Sequence, residues 1–477
     1  MRPRSRIAKK RLSSAAPAPV AGRTGGSDYP HEQVLDEAER VCRGRCDGWE
    51  VYLERERRLT IEVREGKIES LISARASGLS VRALKNRRMG SSYTNDMKPA
   101  AVAEALARAL TAAEYLAEDD AWHFTAPPAG PWPTPEIADP RLEQIDESEK
   151  VGRAAAIEEA ALAQDPRVKR VRGAEYEEIR SRVWLVNSEG VRASGETTLV
   201  SAALEAVAED GDDAESASEL ATEHFYDRLD VARVGREAAQ MAVRMLGSTD
   251  IPGGSIPVVL SPDAAAGLLA ALAPAVFGDS VEKGRSWLAD KLGKKIASGA
   301  VSIVDDGLCL DGPGAFPFDD EGAVSRRTTV VEAGVLKSFL YDSYYGRRSG
   351  AGSTANGLRP AYFLPPMVDT TNWMLLPGRD SEDGLIAQVE DGVYIVEFLG
   401  LHTADSVTGE FSLGASGFRI EHGRLGAPVS GLAIAGTMSE LLERVAGVAD
   451  KVKWSGDAGA PAVLIEELDV SGQEQEG

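Results

Sequence analysis

The amino-acid sequence predicts an α+β protein of two domains, with helices on an antiparallel sheet in the first domain and a β-rich second domain. The length of 477 residues exceeds the roughly 250 to 300 residues that one hydrophobic core supports. Helical stripes alternate with period-two apolar runs in the first half, and short strands with glycine turns dominate the second. We expect domains over residues 29–245 and 246–471, a disordered basic leader over 1–28 and an acidic tail over 472–477.

The first domain is predicted to open with a helix that leads into an antiparallel meander. Apolar residues recur at helical spacing between Val34 and Cys42, which indicates one helix face. Period-two apolar runs over residues 49–53, 59–63 and 79–83, with Glu65-Gly66 and Gly78 as turn signals, then predict an antiparallel meander. Apolar residues from Val102 to Leu116, spaced three or four apart, predict a second, strongly amphipathic helix.

A proline-rich connector divides the first domain into two similar blocks. Six prolines fall within residues 127–140, a density that excludes a helix or a central strand. Further helix and strand patterns follow, with strands predicted from 183 onward and over 197–207. The acidic run 209–215 is interpreted as a solvated hairpin end. A helix over 230–245 is predicted to close the domain.

The second domain is predicted to begin with a buried strand and a well-marked helix start. Residues 256–260 read as a short buried strand. Ser261 is suited to cap a helix, Pro262 to its first position and Asp263 to its first turn. Short strands follow, and the chain is predicted to end with a helix over 438–445 and a strand over 462–470.

Charge and cysteine content restrict the function classes. The 53 basic and 75 acidic residues give a formal net charge of −22, so a general nucleic-acid or anionic-membrane binder is not expected. The longest apolar stretch, 267–277, contains Pro274 and is shorter than the roughly 18 residues of a membrane helix. Three scattered cysteines are too few for a disulfide framework, which favours the cytoplasm. The leader is basic, and a disordered tail is favoured over a transit peptide or nucleic-acid arm.

Sequence motifs for metal and nucleotide chemistry are missing. His31-Glu32 would need a second histidine at position 35 or 36 to form a zinc motif, and Leu35 and Asp36 stand there. Cys42 and Cys46 have no partners at zinc-finger spacing and are interpreted as packing residues. There is no G-x-S-x-G, Walker A or dinucleotide fingerprint. The acidic run 319–322 is interpreted as a turn with a solvated edge, and no metal is expected in this chain.

One stretch, residues 400–417, combines polar residues with four glycines. His402 with Asp405 and Glu410 could form a general base and its orienting carboxylate, and Ser412 or Thr403 could serve as nucleophile. Alternatively, the glycines allow a backbone that passes close to another element, and the polar side chains satisfy that backbone. Composition favours the structural alternative and leaves both open.

Several stretches together resemble the TldD/PmbA family, and among its branches the PmbA branch, also called TldE. Their order and spacing over residues 30–470 carry the resemblance. The stretches are E-V at 50–51, G-L-S-V-R at 78–82, S-P-D-A-A at 261–265, F-D-D-E-G at 318–322, G-V-L at 334–336, L-Y-D-S-Y at 340–344, N at 372 with P-G at 377–378, G-L-H-T at 400–403, T-G-E-F-S at 408–412, I-E-H-G at 420–423 and P-V at 428–429. Ala355 departs from the pattern, since relatives usually carry glycine there.

The resemblance implies a cytoplasmic subunit of a peptide-degrading complex, whose TldD-type partner carries zinc on an H-E-x-x-x-H helix and a distant cysteine. The corresponding helix here starts after Ser261 and contains only alanine, glycine and leucine beyond Asp263. No cysteine follows Cys309, and Asp457-Ala-Gly-Ala stands in the neighbourhood of the partner's cysteine. The chain is therefore expected to hold no cofactor, with zinc in the partner. The candidates for a substrate channel are His402, Thr403, Phe411, Asn356 and Asn372.

Three functions remain as hypotheses from the sequence. The leading one is a non-catalytic subunit of a heteromeric zinc metallopeptidase that binds a TldD-like chain and degrades unfolded peptides. The second is a self-sufficient hydrolase that uses His402, Asp405 and Ser412. The third is a non-enzymatic regulator of the DNA gyrase modulator type, for which the basic leader is the one compatible local feature.

Overall fold

The computed structural model describes residues 30–472, so the predicted leader and residues 473–477 of the predicted tail lie outside the described residues. The helices are α1 His31–Cys42, α2 Pro99–Glu114, α3 Glu147–Leu162, α4 Val231–Met245, α5 Pro262–Leu272, α6 Gly278–Glu282, α7 Ser343–Ser349, α8 Glu382–Ile386 and α9 Met438–Glu443. Within this range, no helix combines the length and the apolar character that crossing a membrane requires.

The strands form three six-stranded sheets and one short two-stranded ladder. In chain order they are β1 Gly48–Arg64, β2 Lys67–Lys85, β3 Arg88–Thr94, β4 Val168–Asn187, β5 Arg192–Asp210, β6 Asp213–Glu223, β7 Gly254–Leu260, β8 Ile303–Asp306, β9 Arg327–Glu332, β10 Val335–Leu336, β11 Gly357–Leu358, β12 Met367–Val368, β13 Trp373–Leu375, β14 Asp391–Leu399, β15 Glu410–Glu421, β16 Arg424–Thr437, β17 Val445–Val448, β18 Lys453–Ser455, β19 Ala458–Ala460 and β20 Val463–Ser471.

The first sheet is antiparallel throughout and has the order β3-β2-β1-β4-β5-β6. Helices α1 and α2 pack on one end of one face, over a core that includes Val51 and Leu53. Helices α3 and α4 pack on the other end, over Leu59 and Ile61. Odd-numbered residues of β1 lie on one face of the strand, so both helix pairs cover the same side of the sheet.

The other two sheets make up the carboxyl-terminal region. One has the order β10-β9-β8-β13-β19-β18, and the other has the order β16-β15-β14-β7-β20-β17. An additional pairing between β16 and β20, at Ala433 with Ser471 and Ile434 with Val470, closes the last sheet on itself. Helix α5 packs against these sheets, and its leucines join the largest apolar core of the chain. The predicted α+β class, with helices on an antiparallel sheet and a β-rich carboxyl-terminal region, is confirmed.

Most predicted elements form where the sequence placed them. Helices α1, α2, α4 and α9 and strands β7 and β20 match their predicted positions within a few residues. The Ser261 hydroxyl accepts a hydrogen bond from the Ala264 amide, which confirms the predicted helix cap. The turn signal at Gly78 was wrong, since Gly78 lies within β2. The apolar runs 49–53 and 59–63 belong to the single strand β1, because polar residues 54–58 continue the strand between the two helix pairs.

Candidate functional site

Residues 400–409 connect β14 to β15 beside helix α5, and residues 410–417 form the first part of β15. Gly400 and Gly409 both adopt positive φ angles, 84° and 80°, which is a conformation that favours glycine. Between them the chain forms a short 3-10 turn at Leu401–Thr403 and a loop that enters β15. The glycine content of this stretch therefore has a direct structural use, as the structural alternative predicts.

This connection contacts α5 through apolar side chains. A Cβ atom at Gly267 of α5 would lie 2.7 Å from Cδ1 of Leu401, so the leucine packs directly on the helix backbone. Phe411 is buried and joins the same core as Leu268 and Leu269. Trp287 packs against Gly409 from the other side, within 3.4 Å of a Cβ built there. The surroundings of α5 are therefore apolar on the side that faces this loop.

The polar candidates of the loop point to solvent and do not form a catalytic unit. His402, Thr403, Asp405, Glu410 and Ser412 are all exposed. The Asp405 carboxylate accepts a hydrogen bond from the Val407 amide at 2.7 Å, and the Thr403 hydroxyl donates to the Gly400 carbonyl at 2.8 Å. Among the described residues, no hydrogen bond joins His402 to Asp405 or to Ser412. The arrangement required by the hydrolase hypothesis is thus not present in this conformation.

The two predicted channel asparagines are buried and fully engaged. Asn356 Nδ2 donates to Asp305 Oδ2 at 2.8 Å and to the Asp369 carbonyl at 2.9 Å. Asn372 Oδ1 accepts from the Gly314 amide at 2.8 Å, and its Nδ2 donates to the Asp306 carbonyl. Both side chains are inaccessible to solvent. They hold loops of the carboxyl-terminal region together, and a contact with substrate by either of them stays a prediction.

Ala355, the departure from the family pattern, lies next to this network. Its φ of 65° is in the left-handed region, which disfavours residues with a Cβ atom. The Ala355 amide donates to the Ser353 hydroxyl, and the side chain is buried. Glycine would adopt this backbone without strain, which gives a physical reason for glycine at this position in relatives.

Two carboxyl groups near this network have raised pKa values. Burial raises the pKa of Asp305 to about 6, although hydrogen bonds from Thr371 and Asn356 oppose the shift. Burial, with the nearby charge of Asp369, raises the pKa of Asp457 to about 7. Asp457 Oδ2 accepts a hydrogen bond from the Thr370 hydroxyl at 2.9 Å. By the family resemblance, Asp457 lies near the position of the zinc-binding cysteine of a TldD-type partner. In this chain its carboxylate is hydrogen-bonded to the Thr370 hydroxyl.

Substituting Asp457 by Asn should change the pH dependence of stability. A carboxyl whose pKa is raised in the folded state stabilises the fold below its unfolded pKa and loses that contribution as pH rises towards 7. The difference in free energy of unfolding, variant minus wild type, should therefore rise by ~1–3 kcal/mol between pH 4 and pH 7.5. Urea unfolding at several pH values measures it, with exposed Asp450→Asn as control. A difference that stays level across this range contradicts the prediction.

A buried ionic cluster joins the first sheet to the carboxyl-terminal region. Arg82 of β2 donates to both oxygens of Glu50 of β1, at 2.8 and 2.7 Å, and to Glu321 at 2.9 Å. Arg359 donates a further bond to Glu50 at 2.7 Å. Glu321 also accepts from the amide and hydroxyl of Ser343. All four charged side chains are at most 5% exposed. We call these four residues the ionic junction.

The ionic junction overturns the interpretation of the acidic run 319–322. Asp319, Asp320 and Glu321 are buried, and the solvated turn expected from the sequence was wrong. Burial opposes ionisation of Glu321, but the charge of Arg82 outweighs it and lowers the pKa of that carboxyl. The pKa of Asp319 is raised by burial and by Glu321. Single-sequence reasoning missed the junction because nothing in the sequence indicates that Arg82 lies opposite this run.

A second polar link between the two regions runs through buried His224. Its Nδ1 lies 2.9 Å from the Thr198 carbonyl and its Nε2 lies 3.2 Å from the Gly312 carbonyl. Burial lowers the pKa of this histidine, so the neutral ring is favoured. A neutral ring donates to only one of these two carbonyls. Because a backbone carbonyl faces each ring nitrogen, neither nitrogen is free to bind a metal, and His224 is a structural residue.

Helix α5 offers little to a metal ion. Its acidic residue, Asp263, forms an ion pair with Lys453 Nζ at 2.8 Å, and Lys453 also pairs with Glu219 of β6 at 2.9 Å. Beyond Asp263 the helix carries only alanine, glycine and leucine. Over residues 30–472, no three or more His, Cys, Asp or Glu side chains are grouped so that they could hold a metal.

Comparison with known proteins identifies the family. Family models described as PmbA/TldA metallopeptidase domain 1, central domain and C-terminal domain match residues 49–113, 140–246 and 253–472. Metalloprotease PmbA of Escherichia coli O157:H7 is 25% identical over 93% of this chain and 96% of its own length. A metalloprotease TldD homolog of Haemophilus influenzae is 27% identical over 83% of this chain and 86% of its own.

Solved structures agree with the sequence comparisons. The crystal structure of a proposed modulator of a DNA gyrase from Thermotoga maritima is 28% identical, with a TM-score of 0.85 over 93% of this chain and 100% of that one. TldE from Thermococcus kodakarensis has the same fold, with a TM-score of 0.84 at 22% identity, over 93% of this chain and 100% of that one. The three matching domain models and these full-length similarities show that the chain belongs to the PmbA/TldD metallopeptidase family, on its PmbA branch.

Proposed function

We propose that this chain is a non-catalytic subunit of a heteromeric zinc metallopeptidase that degrades unfolded peptides, and that a TldD-like chain supplies the zinc. The observation that carries the proposal is helix α5, which the resemblance matches to the zinc-binding helix of the partner. Here the helix is covered by Leu401 at Gly267 and has no free ligand. Curated relatives named TldD homologs support a TldD-like chain as the partner class.

Zinc does not fit the residues around α5. A catalytic zinc site needs about three His, Cys or carboxylate ligands, an open position for water and a base for its proton. Asp263 is neutralised by Lys453, and the remaining α5 side chains have no lone pairs to donate. Leu401 packs directly against the backbone of α5 at Gly267. We therefore assign no hydrolytic step to this chain.

The proposed role of this chain is to shape the place where peptide is held. The loop from Gly400 to Glu410 presents His402 and Thr403 to solvent beside an apolar layer of Leu401 and Phe411. Exposed hydrogen-bonding side chains above an apolar layer can bind the backbone of an extended peptide whatever its sequence. We propose that residues 246–471 act as the domain that carries this surface and contacts the partner.

We place the complex in the cytoplasm. The three cysteines, Cys42, Cys46 and Cys309, are free thiols in the structure. Burial raises the pKa of Cys42 to about 12, which keeps that thiol protonated and unreactive. Unpaired structural cysteines are compatible with a reducing compartment.

Peptidase assays on purified chains test the proposal. This chain alone should not cleave an unfolded fluorogenic peptide, whereas its mixture with a TldD-like chain from the same organism should cleave it. His402→Ala in the mixture should lower activity by less than about ten-fold. A residue that only borders the peptide contributes at most about one hydrogen bond to it. Loss of all activity in that variant would favour the hydrolase hypothesis. Cleavage by the isolated chain at the rate of the mixture would contradict the proposal.

A further inference from the structure

Within residues 30–472, no helix covers the band of the first sheet that lies between the two helix pairs, on the face that carries them. Arg55 and Arg57 of β1 lie on the same face as Leu53, under α1 and α2, and Leu59, under α3 and α4. Neither arginine belongs to either apolar core, and both are half-buried in the gap between the helix pairs. Trp184 borders the gap on the α1 side, with the Arg55 guanidinium 5.8 Å from its ring.

Five arginines meet in this gap. In the register of the sheet, Arg55 lies directly opposite Arg182, and Arg57 lies opposite both Arg180 and Arg75. Residues directly opposite each other in antiparallel strands point to the same face. We call Arg55, Arg57, Arg75, Arg180 and Arg182 the arginine bay.

Arg55 aside, the arginine bay contains more arginines than carboxylates within residues 30–472. Glu143 pairs with Arg180 at 2.7 Å and more distantly with Arg57 at 3.4 Å. Glu196 pairs with Arg180 at 2.5 Å and with Arg182 at 2.7 Å. Arg75 is exposed and has no ion pair within the described part of the chain. Leaving Arg55 aside, four arginines share two carboxylates, in a protein whose formal net charge is −22.

Arg57 carries an energetic cost within the arginine bay. The Nε atom of Arg57 is buried and has no hydrogen-bond partner among residues 30–472. Arg57 also lies between two like charges on the neighbouring strands, which destabilises the sheet. A bound anion would offset this repulsion. Repulsion between these arginines lowers the stability of the fold, and an anion that reduces the repulsion would bind favourably.

The shape of the arginine bay limits the size of that ligand. On the β5 side it is closed, since Thr198 is buried and bonds to residues Ile137 and Asp139 of the connector. On the β2 side it is open, because β3 pairs only with residues 79–85 of β2. Three strands at a spacing of about 4.8 Å and two facing residues along each strand define an area of roughly 10 by 7 Å. A compact anion fits within this area, whereas a long polyanion would extend beyond it.

We propose that the arginine bay binds a small multivalent oxyanion, one that carries two or three phosphate or carboxylate groups. Guanidinium groups bind both kinds of group through paired hydrogen bonds, so this chemistry is common to the two. The excess positive charge matches a ligand with at least two negative charges. The site lies in the first sheet, away from α5, and its existence does not depend on the proposed peptidase role.

Calorimetric titration and thermal unfolding of the full chain test this site, with pyrophosphate and citrate as probes and sodium chloride at matched ionic strength. Wild type should bind one probe molecule per chain and unfold at a higher temperature in its presence. The relative affinities of the two probes distinguish a phosphate ligand from a carboxylate ligand. Binding of neither probe beyond the effect of salt would overturn the proposal, and so would binding only of DNA or polyglutamate.

Arginine variants locate the binding. Arg57→Gln should weaken probe binding at least ten-fold and, without probe, should unfold at the same or a higher temperature than wild type because a like-charge contact is gone. Arg75→Gln, at the exposed strand edge, should weaken binding without any risk to folding. Arg172→Gln is the matched control, an exposed arginine on β4 paired with Glu205. Unchanged binding in Arg57→Gln and Arg75→Gln would overturn the proposal.

Discussion

Glu50→Gln should lower the free energy of unfolding by about 3–5 kcal/mol, the range for breaking a buried ion pair by removing one partner. Glu50 accepts three hydrogen bonds from two buried guanidinium groups, those of Arg82 and Arg359. Once the charge of Glu50 is removed, Glu321 is the one carboxylate among the described residues that still bonds to either guanidinium group, and it bonds to Arg82. Burial lowers the pKa of Arg359, but not enough to neutralise a guanidinium, so the uncompensated charge remains.

Urea unfolding followed by tryptophan fluorescence measures the effect. Glu205→Gln is the matched control, since Glu205 pairs with Arg172 on the surface of the same sheet. Exposed pairs contribute about 0–1 kcal/mol, so the control should change little. Because Arg359 and Glu321 lie in the carboxyl-terminal region, Glu50→Gln should also loosen that region from the first sheet, and limited proteolysis should cut between them faster. A loss below about 1 kcal/mol would show that the ionic junction does not hold the two regions together.

Asn356→Ala should cost about 2–4 kcal/mol of stability, because it leaves the Asp305 carboxylate and the Asp369 carbonyl short of a donor inside the protein. Loss of the Asn356 hydrogen bond should also raise the pKa of Asp305 above its value of about 6. The exposed amide substitution Gln388→Ala serves as control and should change stability by less than about 0.5 kcal/mol.

The same variant distinguishes the two views of Asn356. A structural residue loses stability on substitution, and the complex loses activity only in proportion to the unfolded fraction. A channel residue would instead lose peptidase activity in the complex while the free energy of unfolding stays within about 0.5 kcal/mol of wild type. That second result would contradict the structural account of the buried network.

The sequence predicted those helices and strands whose formation depends on residues close to one another in the chain. The start of α5 was predictable because Ser261, Pro262 and Asp263 each favour a helix start for a separate reason. The helices on the first sheet were predictable because their apolar stripes face that sheet. The continuous strand β1 was not, because residues 54–58 are polar, and polar residues between apolar runs normally indicate a turn. They are polar because they cross the gap between the helix pairs.

The candidate site depended on contacts that a single sequence does not reveal. Glu50 and Arg359 are separated by 309 positions, and nothing local indicates that they meet. The acidic run 319–322 looked solvated because its partner Arg82 lies in another part of the chain. The solvent exposure of the channel candidates could not be predicted from the sequence either. His402 faces solvent, whereas Phe411 and Asn356 are buried. The resemblance to a family supplied what local pattern could not, namely which helix to inspect for metal ligands.

Zinc content tests the central claim most directly. The isolated chain, incubated with excess zinc and then freed of unbound metal, should retain far less than one zinc ion per chain, and its complex with a TldD-like chain should retain one zinc per TldD-like subunit. The account rests on α5, where Asp263 is paired and every other side chain is alanine, glycine or leucine apart from Pro262. One tightly held zinc per isolated chain, lost on substitution of its own residues near α5, would contradict it.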